Sequence, residues 1–206
     1  MLQLYFSPMA CSLASRIALM EAGFEARYTL VDLWGKKVED GSDFWAVSAK
    51  GAVPVLVKEN GERLTENAAV LQYIADLKPE LLLAPPGDAR YRLQEWLSFV
   101  GTEIHKAFLF PTFWYKDDAA KAAARERIGQ SVSVAAAHLE KSSYLVGDHF
   151  TVADAYLAWS LLLLRRGGVD VANWPSLVDY LARLKARPHV KAAIDHEMEL
   201  RKKMNP

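Results

Sequence analysis

The chain has 206 residues, room for one large domain or two small ones, and its 51% hydrophobic and 11% aromatic content is enough for a sizeable core. Lys+Arg and Asp+Glu are equal at 25 each, and a formal charge of zero argues against electrostatic capture of nucleic acid or an anionic membrane. The single cysteine, Cys11, excludes an intrachain disulfide framework and a CxxC redox pair, and fits a reducing cytoplasm.

Met1 leads straight into a strand-like run, residues 2–6, with no basic region and apolar stretch of a secretory leader. The longest strongly apolar run, residues 155–164, is too short to span a bilayer. Ser7-Pro8 breaks the first strand. Leu13, Ile17, Ala18 and Met20 then recur at helical spacing, which predicts a helix over 13–22 closed by Gly23. Residues 26–31 alternate and are rich in strand formers. Between 32 and 48, Gly35, Lys36, Lys37 and Gly41 predict an exposed loop, with a short helix over 43–47. Residues 53–57 read as a strand with Pro54 at its start, and Asn60-Gly61 turns it into Arg63-Leu64-Thr65. Glu66-Asn67 opens a helix over 68–77 with Val70, Leu71, Ile74 and Leu77 on one face. The order is βαβ, loop, ββ, α. A right-handed crossover makes the first two strands parallel, and the hairpin makes the last two antiparallel. That is a thioredoxin-like α/β pattern.

Pro79, Pro85, Pro86 and Gly87 mark residues 79–88 as a linker, so the expected domains are 1–78 and an all-helical 89–206. Residues 89–115 form one long helix or two, interrupted near Pro111. Trp96, Leu97, Phe99, Val100, Ile104, Phe108 and Leu109 spread over more than one face, so this helix must be buried on several sides. Further helices are expected over 118–141, 151–164 and 175–186, and from 188 into the basic tail Arg201-Lys202-Lys203. Phe150-Thr151-Val152-Ala153-Asp154 reads as a capping box, in which the Thr151 hydroxyl takes the amide of Asp154 and the carboxylate returns to the amide of Thr151. Its value is structural, about 1 kcal/mol.

Cys11 falls at or just inside the first turn of the first helix. Unpaired amides and the summed peptide dipoles favour thiolate there. A free cysteine near pKa ~8.5 can drop by a unit or more in such a place, each unit worth about 1.4 kcal/mol. The same position also suits a small buried hydrophobe.

Several stretches together resemble one family. Ala10-Cys11-Ser12-Leu13-Ala14 is similar to the cysteine motif of bacterial beta-class glutathione transferases. Lys50-Gly51-Ala52-Val53-Pro54-Val55-Leu56 resembles the family's cis-proline strand, and Leu64 to Ile74 its glutathione-anchoring helix start. Glu95-Trp96-Leu97-Ser98 through Glu103-Ile104-His105-Lys106 resembles the first helix of its second domain, and Gly147 to Ala155 its capping-box motif. The resemblance covers nearly the whole chain, with the motifs in order. It implies a thioredoxin-like N-terminal domain plus an all-α C-terminal helical bundle.

It also implies a glutathione site: Val53 backbone before a cis Pro54 for the cysteinyl part, Glu66 and Asn67 for the γ-glutamyl part, Lys36 for the glycyl carboxylate, and Ala10, Cys11, His105 and Lys106 around the sulfur. Asn67 stands where the family often has serine, and Ser98 where this class would have asparagine. Cys11 is the implied catalytic residue, forming a mixed disulfide with glutathione or holding its thiolate. His105 is implied to act beside it as a hydrogen-bond donor or proton shuttle. Tyr5 and Ser12 offer hydroxyls of the kind other classes use. Met9, Phe108, Phe113 and Trp114 are expected to line the hydrophobic substrate pocket, Phe108 to Tyr115 holding five aromatics in eight residues. The implied activity is conjugation of glutathione, as co-substrate and without a metal, to hydrophobic electrophiles, with disulfide reductase or peroxidase side activity. The alternatives are a specialised lyase or dehalogenase, and a non-catalytic glutathione-binding or regulatory protein on the same fold. The family implies a cytoplasmic homodimer with neither nucleic acid nor membrane as partner.

Overall fold

The computed structural model describes residues 1–114 and 116–204. They fall into two compact units, one of Met1–Leu83 with the segment from Arg187 onward, the other Ala84–Ala186. The sequence reading placed that last segment with the second domain.

The first unit is built on a five-stranded sheet of order β3-β2-β1-β4-β5. Its strands are β1 (Leu2–Phe6), β2 (Ala26–Asp32), β3 (Lys37–Val38), β4 (Val55–Val57) and β5 (Arg63–Thr65). β1 and β2 are parallel, with Leu4 opposite Tyr28, and β5 runs antiparallel to β4, as the order of elements predicts; β4 in turn pairs antiparallel with β1. β3 is a two-residue strand inside the stretch expected to be loop, too short to leave a period in the sequence. Beside it Phe44–Ala46 makes a 3₁₀ turn capped by Asp43. Val31, Val38, Phe44, Val53 and Val55 form a buried cluster, with Tyr5 and Ala10 packed against it.

Helix α1 (Ser12–Glu21) follows β1, and α2 (Asn67–Asp76) follows β5. Gly23 stops α1 at φ 65, where the Phe24 amide returns to the Leu19 carbonyl. Residues Ser12 to Leu19 of α1 are all buried because α2 and α8 (Pro188–Met204) both pack against it. Arg187 anchors the start of α8 through two bonds to the Glu21 carboxylate, at 2.6 and 3.1 Å. These contacts explain why the last helix belongs to the sheet-bearing unit.

Among the described residues, the regular elements of the second unit are all helical. α3 (Asp88–Phe99) continues through widened i→i+5 turns at Val100–Lys106, one helical turn, α4 (Ala107–Leu109), and further widened turns at Phe110–Trp114. The path at Pro111 is thus a widened turn of the kind often found at functional sites. Tyr115, the fifth aromatic of this stretch, lies outside the described residues. α5 (Asp118–Leu139), α6 (Val152–Arg166) and α7 (Pro175–Lys185) complete the bundle. α6 is its axis, buried on nearly every side, with Trp159 among the largest fully buried side chains. The capping box that starts α6 is present, and Asp154 does more than the motif foretells. Its Oδ2 accepts from the Thr151 amide and hydroxyl, both at 2.8 Å, and its Oδ1 from the Leu145 amide at 2.9 Å and the Tyr180 hydroxyl at 2.7 Å.

Candidate functional site

The turn between β1 and α1 carries the only thiol. Ala10 N–H donates to Ser7 O and Leu13 N–H to Ala10 O, both at 3.0 Å, which winds the chain into the helix. Ser12, wholly buried, closes the same turn through its hydroxyl oxygen, which accepts the Ser7 amide at 3.3 Å. Cys11 thereby becomes the N-cap of α1, half-buried, and its thiol donates to Val53 O across 3.2 Å. The Val53-Pro54 bond is cis.

Two basic groups flank the segment that leads to Val53. Lys36, held at φ 53, donates from Nζ to Gly51 O at 2.7 Å, its ammonium 5.5 Å from the centre of the Trp45 ring. Lys50 donates to Glu66 Oε1 at 2.5 Å and to Thr65 Oγ1 at 3.0 Å. Glu66 is the N-cap residue of α2, at a positive φ of 69° and without a side-chain cap bond. Asn67 is buried: its Oδ1 accepts from Ser15 Oγ at 2.8 Å, and its Nδ2 has no hydrogen-bond partner. Tyr5 lies across the sheet from α1, its ring 6.2 Å from Phe44. Cys11, Val53, Pro54, Lys36, Glu66 and Asn67 therefore belong to one unit, and Cys11 touches the Val53 carbonyl directly.

His105, in the second unit, is 2% exposed. Its Nδ1 and the Tyr156 hydroxyl share a hydrogen bond of 2.7 Å, and its ring stands edge-on to Trp159 at 4.5 Å. Burial, helped by the neighbouring Lys106 charge, lowers its pKa to about 3. The titration near neutrality that its reference value suggests is therefore not what this setting gives: His105 is a neutral imidazole there. Phe108 is fully buried and meets Phe113 edge-on at 6.4 Å, whereas Trp114 is exposed. Lys106 sits over the Phe110 ring at 5.2 Å.

Residues 8–77 match the profile described as glutathione S-transferase, N-terminal domain, and residues 97–188 that of the C-terminal domain. Glutathione S-transferase GstA of Escherichia coli O157:H7 is 35% identical over 201 residues, covering 95% of this chain and 98% of that one. The chain belongs to the glutathione S-transferase family. A sphingomonad glutathione S-transferase complexed with glutathione is 43% identical with a TM-score of 0.91, covering 95% of this chain and 98% of that one. A bacterial beta-class glutathione S-transferase from Sphingomonas chungbukensis is 42% identical, again with a TM-score of 0.91, over 95% and 98%.

Within this transferase, sequence reasoning missed the groups that hold the thiol's turn from below. Glu197 of α8 is 0% exposed; its Oε2 accepts the Met9 amide at 2.8 Å, and its Oε1 lies 3.2 Å from Arg16 Nε. The Arg16 guanidinium lies 4.3 Å from the centre of the Phe6 ring and 4.0 Å from that of the Tyr28 ring, two rings set edge-to-face. Burial lowers the Arg16 pKa against the pull of Glu197, and it pushes the Glu197 carboxyl up to about 7 against Arg16 and the Met9 amide. No local motif announces Glu197, because 188 residues separate it from Met9. Among the described residues no cluster of three or more His, Cys, Asp or Glu side chains could hold a metal ion, and no helix is long and apolar enough to cross a membrane.

Proposed function

We propose that the protein is a glutathione transferase in which the tripeptide lies along the Gly51–Pro54 segment as an added strand. The observation that carries this reading is the Cys11 thiol at 3.2 Å from Val53 O. The carbonyl that would pair with the cysteinyl amide of the ligand is already the acceptor for the protein's one sulfur. A cysteinyl residue bonded at Val53 brings its own sulfur beside Cys11. Lys36, beside Gly51 O, supplies the cation for the glycyl carboxylate. The N-terminus of α2 supplies amides for the γ-glutamyl carboxylate, and Glu66 an anion for its amine. Asn67 Nδ2, buried without a partner, is a further donor at that helix start.

In conjugation the glutathione thiolate attacks an electrophilic carbon. A sulfur–carbon bond forms, the bond to the leaving group breaks, and the leaving group departs with the electron pair. Cys11 holds the attacking sulfur through a hydrogen bond, and proximity supplies much of the acceleration. Oxidised glutathione would instead yield a mixed disulfide on Cys11 and one released glutathione thiol, the first half of a disulfide reductase cycle. His105 enters as a neutral imidazole whose Nδ1 edge is engaged by Tyr156, so it serves as a hydrogen-bonding group, with Lys106 beside it. Tyr5 is the alternative hydroxyl for the sulfur. Met9, Phe113 and Trp114 are the apolar groups proposed for the electrophile; Phe108, expected with them, is fully buried and offers it no surface. We also propose a cytoplasmic homodimer; light scattering after gel filtration tests the dimer.

The deciding experiment is turnover of 1-chloro-2,4-dinitrobenzene with glutathione, beside retention on immobilised glutathione. Catalysed chloride release and retention are expected. Retention without turnover on this acceptor, other electrophiles or disulfides favours a non-catalytic binding protein; the absence of both retention and turnover overturns the reading. Mass spectrometry after exposure to oxidised glutathione should show one adduct, on Cys11.

A further inference from the structure

We propose that Glu197 is a positioning residue for this reaction: from the C-terminal helix its side-chain oxygen fixes the backbone of the turn that presents Cys11. The proposal rests on the reading of Cys11 as part of the glutathione site. Met9 stands two residues before Cys11 at φ 62, a left-handed conformation that a non-glycine residue adopts only when its surroundings hold it. The group holding its amide is Glu197 Oε2, at 2.8 Å. Met9 lies inside a tight turn: Ala10 N–H bonds Ser7 O, and Ser12 Oγ accepts the Ser7 amide. A change in the Met9 backbone therefore passes to Cys11 and the entry to α1.

Glu197 is itself pinned. Arg16 of α1 faces its other oxygen at 3.2 Å, Tyr28 of β2 stacks on that guanidinium, and His196 precedes it on α8. Raised by burial to about 7, the carboxyl can carry a proton near neutrality, yet in either state it offers Met9 an oxygen. The bond to the turn thus depends on the oxygen, not the charge. That separates positioning from a general contribution to stability.

Cys11 is the only cysteine, so iodoacetamide alkylation followed by mass spectrometry reads this turn without glutathione. The assay is therefore independent of whether glutathione is the substrate, which wild-type binding and turnover decide separately. In E197Q the acceptor oxygen survives, and alkylation at pH 7 should stay within about twofold of wild type. In E197A the Met9 amide is released and the thiol drifts from the α1 N-terminus, so alkylation should slow at least about fivefold. With glutathione and electrophile, kcat should fall in E197A and recover in E197Q. If removing the buried acid leaves Arg16 unpaired and prevents folding, R16M/E197L removes both charges together, a replacement buried pairs often tolerate. It should show the same slow alkylation. Wild-type alkylation in E197A or in the paired variant, or E197Q as slow as E197A, overturns the proposal.

Discussion

The Tyr180 hydroxyl of α7 donates to Asp154 Oδ1 across 2.7 Å, inside the helical unit. With the Leu145 amide and the two Thr151 donors, it makes one carboxylate the acceptor for four groups on three separate segments. D154A leaves all four donors buried without that partner. We expect a loss of about 3 kcal/mol or more in urea unfolding, several times the worth of a simple cap. The folded fraction should keep its kcat/KM within about twofold, since the residue lies outside the proposed chemistry. A loss below about 1 kcal/mol would show that the cluster is only a cap.

His105 carries a neutral ring from alkaline pH down to well below neutrality. Its folded pKa of about 3 lies under the ordinary 6.5, so the folded protein binds this proton more weakly than the unfolded chain. Its contribution to stability is full above pH 6.5 and is lost as pH falls toward 3, in total about 5 kcal/mol. The His105 Cε1 proton resonance should not move between pH 8 and 5. H105Q should lower kcat while leaving the midpoint of the pH–rate profile where it is. A resonance titrating near 6.5 contradicts the buried geometry.

Glu197 works in the opposite sense. Its folded pKa of about 7 lies above the ordinary 4.5, so the folded state holds the proton more tightly. The stability this gives is fully present below pH 4.5 and lost as pH rises through 7, in total about 3 kcal/mol. E197Q cannot lose a proton there. Measured by urea unfolding, E197Q should therefore gain on wild type between pH 5 and pH 8. A difference that stays constant with pH would show that Arg16 keeps Glu197 ionised throughout.

Gly167, at the end of α6, has no room for a methyl group. A Cβ there would stand 2.4 Å from Phe108 Cε1 and 2.5 Å from Cζ. Its φ of −83° is open to any residue, so G167A tests packing and not backbone strain. We expect a lower Tm, about 1–3 kcal/mol of overpacking, as Phe108 is displaced. Unchanged stability would mean that the ring moves at no cost.

Gly51 poses the companion case in the first unit. Its φ is 56°, and an added Cβ would meet the Trp45 ring at 2.6 Å. Trp45 is 50% exposed, yet it backs both Gly51 and the Lys36 ammonium. G51A should raise the Kd for glutathione at least about tenfold by isothermal calorimetry, since strain and clash meet on the proposed strand. An unaltered Kd would place the ligand elsewhere.

Local spacing carried much of this molecule. Alternation in β2, Gly23 after α1, Asn60-Gly61 in the hairpin and Thr151 to Asp154 at α6 each need only a few consecutive residues to act, and each stands where its pattern predicts. The directions of the first and last strand pairs followed, because a crossover and a hairpin leave few alternatives. Cys11 at the head of α1 was legible for the same reason.

Burial was not legible. His105 has an ordinary histidine's sequence context; burial against Tyr156 and Trp159, more than fifty residues on, does most to make it a neutral ring, with the Lys106 charge adding to it. The widened turns of residues 100–114 carry no sign but Pro111. Nothing in the local pattern marks Arg16, which Phe6, Tyr28 and Glu197 enclose in the fold. A sequence fixes what each residue can do with its near neighbours. Charge state, and which carboxylate steadies the turn before the thiol, depend on desolvation and on chain segments far apart in sequence, which only the folded packing brings together.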